Sequence, residues 1–231
     1  MTNNELFLIV EDDKQIRSFI SFSLKANQYR SILATTGKEA MNLIVTQNPD
    51  VIILDLGLPD MDGLEIIKQV RTFSEMPIIV VSARDQDSEK IEALDAGADD
   101  YLTKPFSINE LLARLRVILR HSQKVEEDIT PGIYEVGDLE VNLDRHIVLL
   151  CGSEVHFTPM EFNVLALLIK NAGKVLTHSY ILKQVWGSYL ESDTQSLRVF
   201  MANIRRKLEQ DPAKPRYIIT EVGIGYRFAD E

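Results

Sequence analysis

Val51-Ile52-Ile53-Leu54-Asp55, continuing through Leu56-Gly57-Leu58-Pro59-Asp60-Met61-Asp62-Gly63, decides the fold of the first half of this chain. Four consecutive apolar residues rich in β-branching read as a strand buried on both faces, the pattern of a parallel sheet. An ionisable Asp follows directly. A carboxylate at a buried strand end is costly without partners, although Asp and Gly-Leu-Pro-Asp are also ordinary turn chemistry. The neighbouring segments separate these two readings.

Further strand-like runs stand at residues 6–10 and 78–81, with weaker ones at 31–34 and 101–102. Helical spacing of apolar residues fills the intervals 14–26, 37–46, 64–73, 88–96 and 109–120. Strands alternating with helices of this length predict a doubly wound, flavodoxin-like α/β domain built on a five-stranded parallel sheet. Ligands in such folds gather beyond the carboxyl ends of the strands, near the switch point of the sheet. The polar residues at those ends are Glu11-Asp12-Asp13, Asp55, Ser82 and Lys104-Pro105, so these groups are expected to face one another. Clustered carboxylates with a single lysine make a poor structural network, because like charges at close range repel and raise one another's pKa. A divalent cation with hard oxygen ligands and open positions resolves the conflict, and Mg²⁺ is the ion of that kind.

The length of 231 residues gives room for two domains, each able to bury a core. Apolar residues at 45% and charged residues at 26% are ordinary globular composition, which argues against disorder. Met1-Thr2-Asn3-Asn4-Glu5 lacks the basic start of a signal peptide, and no run approaches the roughly 20 apolar residues of a membrane span. The expected location is therefore the cytoplasm, with no membrane partner. Cys151 has no second cysteine to pair with, and the histidines at 121, 146, 156 and 178 are too scattered for a metal site. A net charge of −10 speaks at first sight against nucleic acid. Charge is local, however. Residues 1–121 carry 13 basic and 19 acidic side chains, whereas residues 192–227 carry seven basic against four acidic.

Between residues 121 and 132 periodicity is lost and a Pro-Gly pair closes the segment, which marks a linker and divides the chain into 1–121, 122–132 and 133–231. Short alternating runs follow at 134–141 and 146–150, with Asn142-Leu143-Asp144 as the turn between them. Thr158-Pro159-Met160-Glu161 opens a helix with a capping box and Pro at its first position. A second helix is expected over 179–186 and a third over 194–209, the latter capped by Ser192-Asp193. A hairpin with Gly223-Ile224-Gly225 at its turn ends the domain. Strands, three helices and a terminal hairpin predict an α+β winged helix-turn-helix. With Leu197, Phe200, Met201, Ile204 and Leu208 inward, the third helix turns Gln195, Arg198, Ala202, Asn203, Arg205 and Arg206 to its other faces. A basic face is often mere solvation, but Arg216 and Arg227 on the hairpin extend it, fitting a helix in the major groove of double-stranded DNA with a wing beside the backbone. The Gly-Ile-Gly lacks the third glycine and the strand-then-helix setting of a dinucleotide loop.

Glu11-Asp12, Asp55, Ser82 and Lys104-Pro105, in that order over residues 5–121, resemble the receiver domain of bacterial two-component response regulators. The resemblance implies that Asp55 accepts a phosphoryl group from the phosphohistidine of a sensor histidine kinase. It also implies that Asp12 and Asp55 bind Mg²⁺ through side chains, Glu11 through water and Gly57 through its carbonyl. Lys104 would neutralise charge on the transferred group, and Ser82 and Tyr101 would form the switch. Lys90, Asp100, Glu110 and Arg114 match positions that form salt bridges across a dimer formed on phosphorylation. Thr158 to Phe162, Val185-Trp186-Gly187, Ile204 to Leu208 and Gly223 to Phe228 are similar to the OmpR/PhoB subfamily, which implies a promoter-binding regulator, with RNA polymerase as a further candidate partner. Details at 54–60, 171–177 and 208–213 are similar to regulators of potassium-transport genes. The chain is then no enzyme, although self-dephosphorylation is within reach of the same site. A phospho-aspartyl hydrolase shares the Asp, lysine and Mg²⁺, but Gly57 replaces its second Asp. A regulator that acts by DNA binding alone has no use for the acidic pocket.

Overall fold

The structure, a computed structural model, describes residues 5–123, 132–187 and 194–229, with side chains described up to residue 119 in the helix that ends at 123. The expected cap at Ser192-Asp193, the side chain of His121 and residues 124–131 of the expected linker lie outside the described residues. Two compact units divide the chain, Met1–Leu115 and Arg116–Glu231.

The first unit alternates β1 (Leu6–Val10), α1 (Lys14–Ala26), β2 (Arg30–Ala34), α2 (Gly37–Gln47), β3 (Val51–Leu54), α3 (Gly63–Val70), β4 (Ile78–Ser82), α4 (Asp87–Asp95), β5 (Asp100–Thr103) and α5 (Ile108–Gln123). Its sheet runs β2-β1-β3-β4-β5, all parallel. Every residue of β3 and β4 is buried, as strands covered on both faces require. The order reverses between β1 and β3. Right-handed crossovers therefore place α1 on one face and α2, α3 and α4 on the other, opening a crevice at the carboxyl ends of β1 and β3.

Register then fixes the chemistry. Val10 lies opposite Leu54, Leu54 opposite Val80, and Ser82 opposite Thr103. The backbone carries the alignment one residue further, with Glu11 N–H donating to the Ala34 carbonyl (3.1 Å), Asp55 N–H to Val10 (2.9 Å) and Lys104 N–H to Ser82 (2.8 Å). Gly63 seats α3 behind this rim. A Cβ there would stand 2.7 Å from the Asp55 carbonyl, so the close approach excludes any side chain. Helix α3 stops at Val70, short of the expected 73; Arg71 caps it with helical dihedrals (φ −67°, ψ −10°), and its guanidinium binds the carbonyls of Gly97, Ser74 and Met76 and the carboxylate of Asp99.

After the end of α5, which runs past the division at Leu115, the second unit holds a four-stranded antiparallel sheet of β6 (Ile133–Val136), β7 (Leu139–Asn142), β8 (Ile147–Leu150) and β9 (Ser153–Glu154). The single run expected over 134–141 is two strands, broken at Gly137 (φ +58°) and Asp138, since a glycine at positive φ turns the chain where the apolar pattern alone does not. Then come α6 (Pro159–Lys170), β10 (Val175–Thr177), α7 (His178–Trp186), α8 (Thr194–Leu208), β11 (Ile218–Glu221) and β12 (Gly225–Phe228). Thr158 and Glu161 form the expected capping box. Strand β10, too short for the apolar pattern to predict, pairs with β12 in a three-stranded sheet ordered β10-β12-β11. Gly225 permits that pairing, as a Cβ would overlap the Leu176 carbonyl. Trp186, Phe200, Ile204 and Phe228 lie in the core between helices and sheet. Among the described residues, no helix is long and apolar enough to cross a membrane.

Candidate functional site

At the carboxyl edge of the parallel sheet, Lys104 Nζ lies 2.7 Å from Glu11 Oε2 and 2.7 Å from Asp55 Oδ2. Oxygens of Glu11, Asp12 and Asp55 lie within 4.8 Å of one another. Glu11 and Asp55 are buried and Asp12 is exposed, so the group opens to solvent on the Asp12 side. Backbone donors serve it thinly: Glu11 Oε1 accepts from Asp13 N–H at 3.3 Å and Asp55 Oδ1 from Gly57 N–H at 3.2 Å. Burial lifts Glu11 above the ordinary glutamate range, aided by the Asp55 charge and opposed by Lys104. Burial alone would lower Lys104, but its hydrogen bonds to Asp55 and Glu11 prevail and hold the ammonium above its usual value. Three hard oxygen donors with spare lone pairs, beside open space, fit the donor set that Mg²⁺ takes.

Ser82 and Tyr101 lie next to this edge. Ser82 is buried at the end of β4, and its hydroxyl accepts a long bond of 3.4 Å from Arg84 N–H. Tyr101 is already turned inward, 4% exposed, and its hydroxyl donates to the Arg84 carbonyl at 2.7 Å. Burial raises the Tyr101 pKa, and the Ser82 hydroxyl bonded to it opposes the rise.

Several neighbours escaped the sequence reading. Arg17 Nη1 holds the carbonyls of Glu11 (2.7 Å) and Asp12 (2.9 Å), fixing the acidic loop from one turn into α1. Arg84 reaches across to Asp62 at 2.8 Å, while the other Asp62 oxygen caps α3 at Leu64 N–H. Asp60 accepts from Gly37 and Lys38 N–H and so caps α2 from another loop. The one signal for Arg17 was its place four residues beyond Asp13; Asp60 and Arg84 left none, since their partners lie 22 or 23 residues away.

Three of the four expected interface residues meet inside one chain. Arg114 binds both oxygens of Asp100 (2.8 and 2.9 Å) and Glu110 Oε1 (2.7 Å), and Asp100 and Arg114 are buried. Burial lifts the Asp100 pKa while Arg114 opposes it, and the Lys90 charge adds to that opposition.

On α8, Gln195, Arg198 and Arg206 are exposed. Asn203, expected on an outward face, is 5% exposed: the buried stripe is wider than the five apolar positions and takes in Ser196, Val199 and Asn203 beside them. Arg205 also corrects the expectation of an outward side chain, folding back onto the hairpin with Nε donating to the Ile218 carbonyl (3.0 Å) and Nη2 to Thr220 Oγ1 (2.7 Å). Arg216 pairs with Asp138 (3.1 Å) and Arg227 with Glu221 (3.1 Å). Surface pairs of this kind are worth about 0–1 kcal/mol.

This combination of sheet edge and helix-plus-hairpin is that of a receiver joined to a DNA-binding output domain, and family models agree. Residues 7–116 match the response regulator receiver domain and residues 152–228 the C-terminal domain of transcriptional regulatory proteins. The chain is 50% identical to the KDP operon transcriptional regulatory protein KdpE of Escherichia coli K12, over 99% of each chain. It is 44% identical to the transcriptional regulatory protein KdpE of Mycobacterium tuberculosis, over 96% of this chain and 98% of that one. Among solved structures, the Thermotoga maritima OmpR/PhoB homologue DrrB superposes with a TM-score of 0.53 and 32% identity, covering 98% of this chain and 100% of that one. The chain belongs to the OmpR/PhoB subfamily of two-component response regulators, and it is a DNA-binding regulator of transcription.

Proposed function

We propose that Asp55 accepts a phosphoryl group from the phosphohistidine of a sensor kinase and that the acyl phosphate switches the chain to a DNA-binding dimer that controls potassium-transport genes. The observation that carries this reading is the double bridge of Lys104 to Glu11 and Asp55, at 2.7 Å each, beside the exposed Asp12 carboxylate. Asp55 Oδ attacks phosphorus as the P–N bond to the kinase imidazole breaks, and the imidazole leaves with the bonding pair. Lys104 moves from Glu11 and Asp55 toward the new phosphoryl oxygens, where it offsets their charge. Asp12, Asp55, the Gly57 carbonyl and, through water, Glu11 would hold Mg²⁺, which supplies charge neutralisation at the transferred oxygens. Ser82 donates its hydroxyl to a phosphoryl oxygen, and the inward Tyr101 fills the space behind it. The same acyl phosphate is slowly lost to water by self-dephosphorylation.

Pairing of receivers through Lys90, Asp100, Glu110 and Arg114 then raises avidity for two half-sites. Weak ionic contacts suit an interface that one charge must switch. The DNA face is formed by Gln195, Arg198 and Arg206, with Arg216 and Arg227 free to trade their acidic partners for phosphate. A linker over 122–132 joins domains 1–121 and 133–231 and lets the second follow the first into the dimer. The chain acts in the cytoplasm, with RNA polymerase as the partner at the promoter. Similarity to two KdpE proteins over nearly the full length supports the potassium assignment. The test is sedimentation and promoter binding with and without acetyl phosphate and Mg²⁺, for wild type and Asp55→Asn. Phosphate-dependent dimerisation that persists in Asp55→Asn would sink the proposal.

A further inference from the structure

The last turn of α8 grips the edge of β11 with both signs of charge. Glu209, just past the helix, takes the N–H groups of Arg216 (2.7 Å), Tyr217 (2.9 Å) and Ile218 (3.0 Å). One turn earlier, Arg205 takes the Ile218 carbonyl and the Thr220 hydroxyl, and its guanidinium lies 5.7 Å over the ring of Tyr226 on β12. Both strands of the hairpin are thus tied to one helical side chain. Past these ties the hairpin projects to its turn, where Val222 and Ile224 are exposed. A half-buried guanidinium committed to a carbonyl, a hydroxyl and a ring differs from Arg198 on the same helix, which is exposed.

We propose that Arg205 is a positioning residue that clamps the hairpin to α8, so that helix and wing meet DNA in one fixed relation; this rests on the reading that α8 and the hairpin face the duplex. Arg205 then contributes to affinity without touching phosphate. Freed from the clamp, the hairpin must be ordered at the moment of binding, and that entropy is lost from the affinity.

The probe is a duplex enriched from a random-sequence pool by the phosphorylated full-length protein. Arg205→Gln is expected to weaken binding roughly tenfold with the slope of log K against log salt unchanged, whereas Arg198→Gln lowers that slope by about one. Hydroxyl-radical footprints should lose the protection laid down by the hairpin and keep that of α8. A slope for Arg205→Gln that falls by about one would make Arg205 a phosphate contact and overturn the proposal. So would unchanged affinity with an unchanged footprint. Thr220→Val, which removes only the hydroxyl partner, should show the same loss of affinity and hairpin protection in smaller degree, and if Arg205→Gln fails to fold it decides the matter by those two readouts, unchanged affinity with an unchanged footprint overturning the proposal. Failure of the wild type to enrich any duplex would instead overturn the placement of DNA on α8, and the clamp with it.

Discussion

Glu11 and Asp55 in the first unit and Glu161 and Glu209 in the second are all buried acids, yet they are served very differently. Glu209 accepts three backbone N–H groups, and Glu161 closes a capping box while pairing with Lys207. Glu11 and Asp55 each receive one long backbone bond and share one lysine. A well-served acid is a structural fastening: the donors of Glu209 and Glu161 all lie within 3.0 Å and belong to the fold around them. An underserved pair is held at a cost to stability, and that cost is explained only if something else binds there.

Substitutions should separate the two kinds. The largest effect belongs to Asp55→Asn, which should abolish phosphoryl uptake from acetyl phosphate, by about 100-fold or more, as read by intact mass. The melting temperature of that variant should not fall, since one of two repelling carboxylates is gone. Glu209→Ala should do the reverse, leaving phosphoryl uptake intact and lowering the stability of the second unit by roughly 3 kcal/mol in urea unfolding. Should Asp55→Asn prove as destabilising as Glu209→Ala, the distinction would collapse.

Lys104→Met comes next. Without the lysine two acids stay buried and uncompensated, so stability should drop by roughly 2 kcal/mol, and added Mg²⁺ should recover part of it in a thermal melt. The folded pKa of Lys104 is raised, so its stabilisation is complete below the unfolded value of about 10.4 and is lost as pH climbs through the folded one. Wild type and Lys104→Met should therefore converge in strong alkali.

The smallest effect is expected for Asp60, a surface acid of the well-served kind. The Gly37 and Lys38 amides hold its carboxyl below the ordinary aspartate value. Its contribution is present above the unfolded pKa of about 3.9 and is lost as pH falls through the lower folded value. The melting-temperature gap between wild type and Asp60→Asn should close in acid; a gap that widened would remove Asp60 from the well-served class.

Legibility followed the range of the forces involved. The parallel sheet could be read because its strands are short apolar runs and its ligand edge follows from topology, so Glu11, Asp12, Asp55, Ser82 and Lys104 were named together. Strand β10 carries no such signal because Val175-Leu176-Thr177 is too brief for periodicity and is fixed by Gly225, 48 residues beyond its partner Thr177. The outward placement of Asn203 and Arg205 failed for another reason. Helical phase assigns a face but not a neighbour, and here the hairpin and the core claimed side chains that the wheel left in solvent.

The lysine at this site stands 93 residues after Glu11 and 49 after Asp55. During synthesis the acids therefore leave the ribosome well before their counter-charge, and strands β1 to β4 emerge with an edge that repels itself. Closing it waits for β5, the last strand of the sheet. The two carboxylates can thus meet their counter-charge only once β5 has joined the sheet.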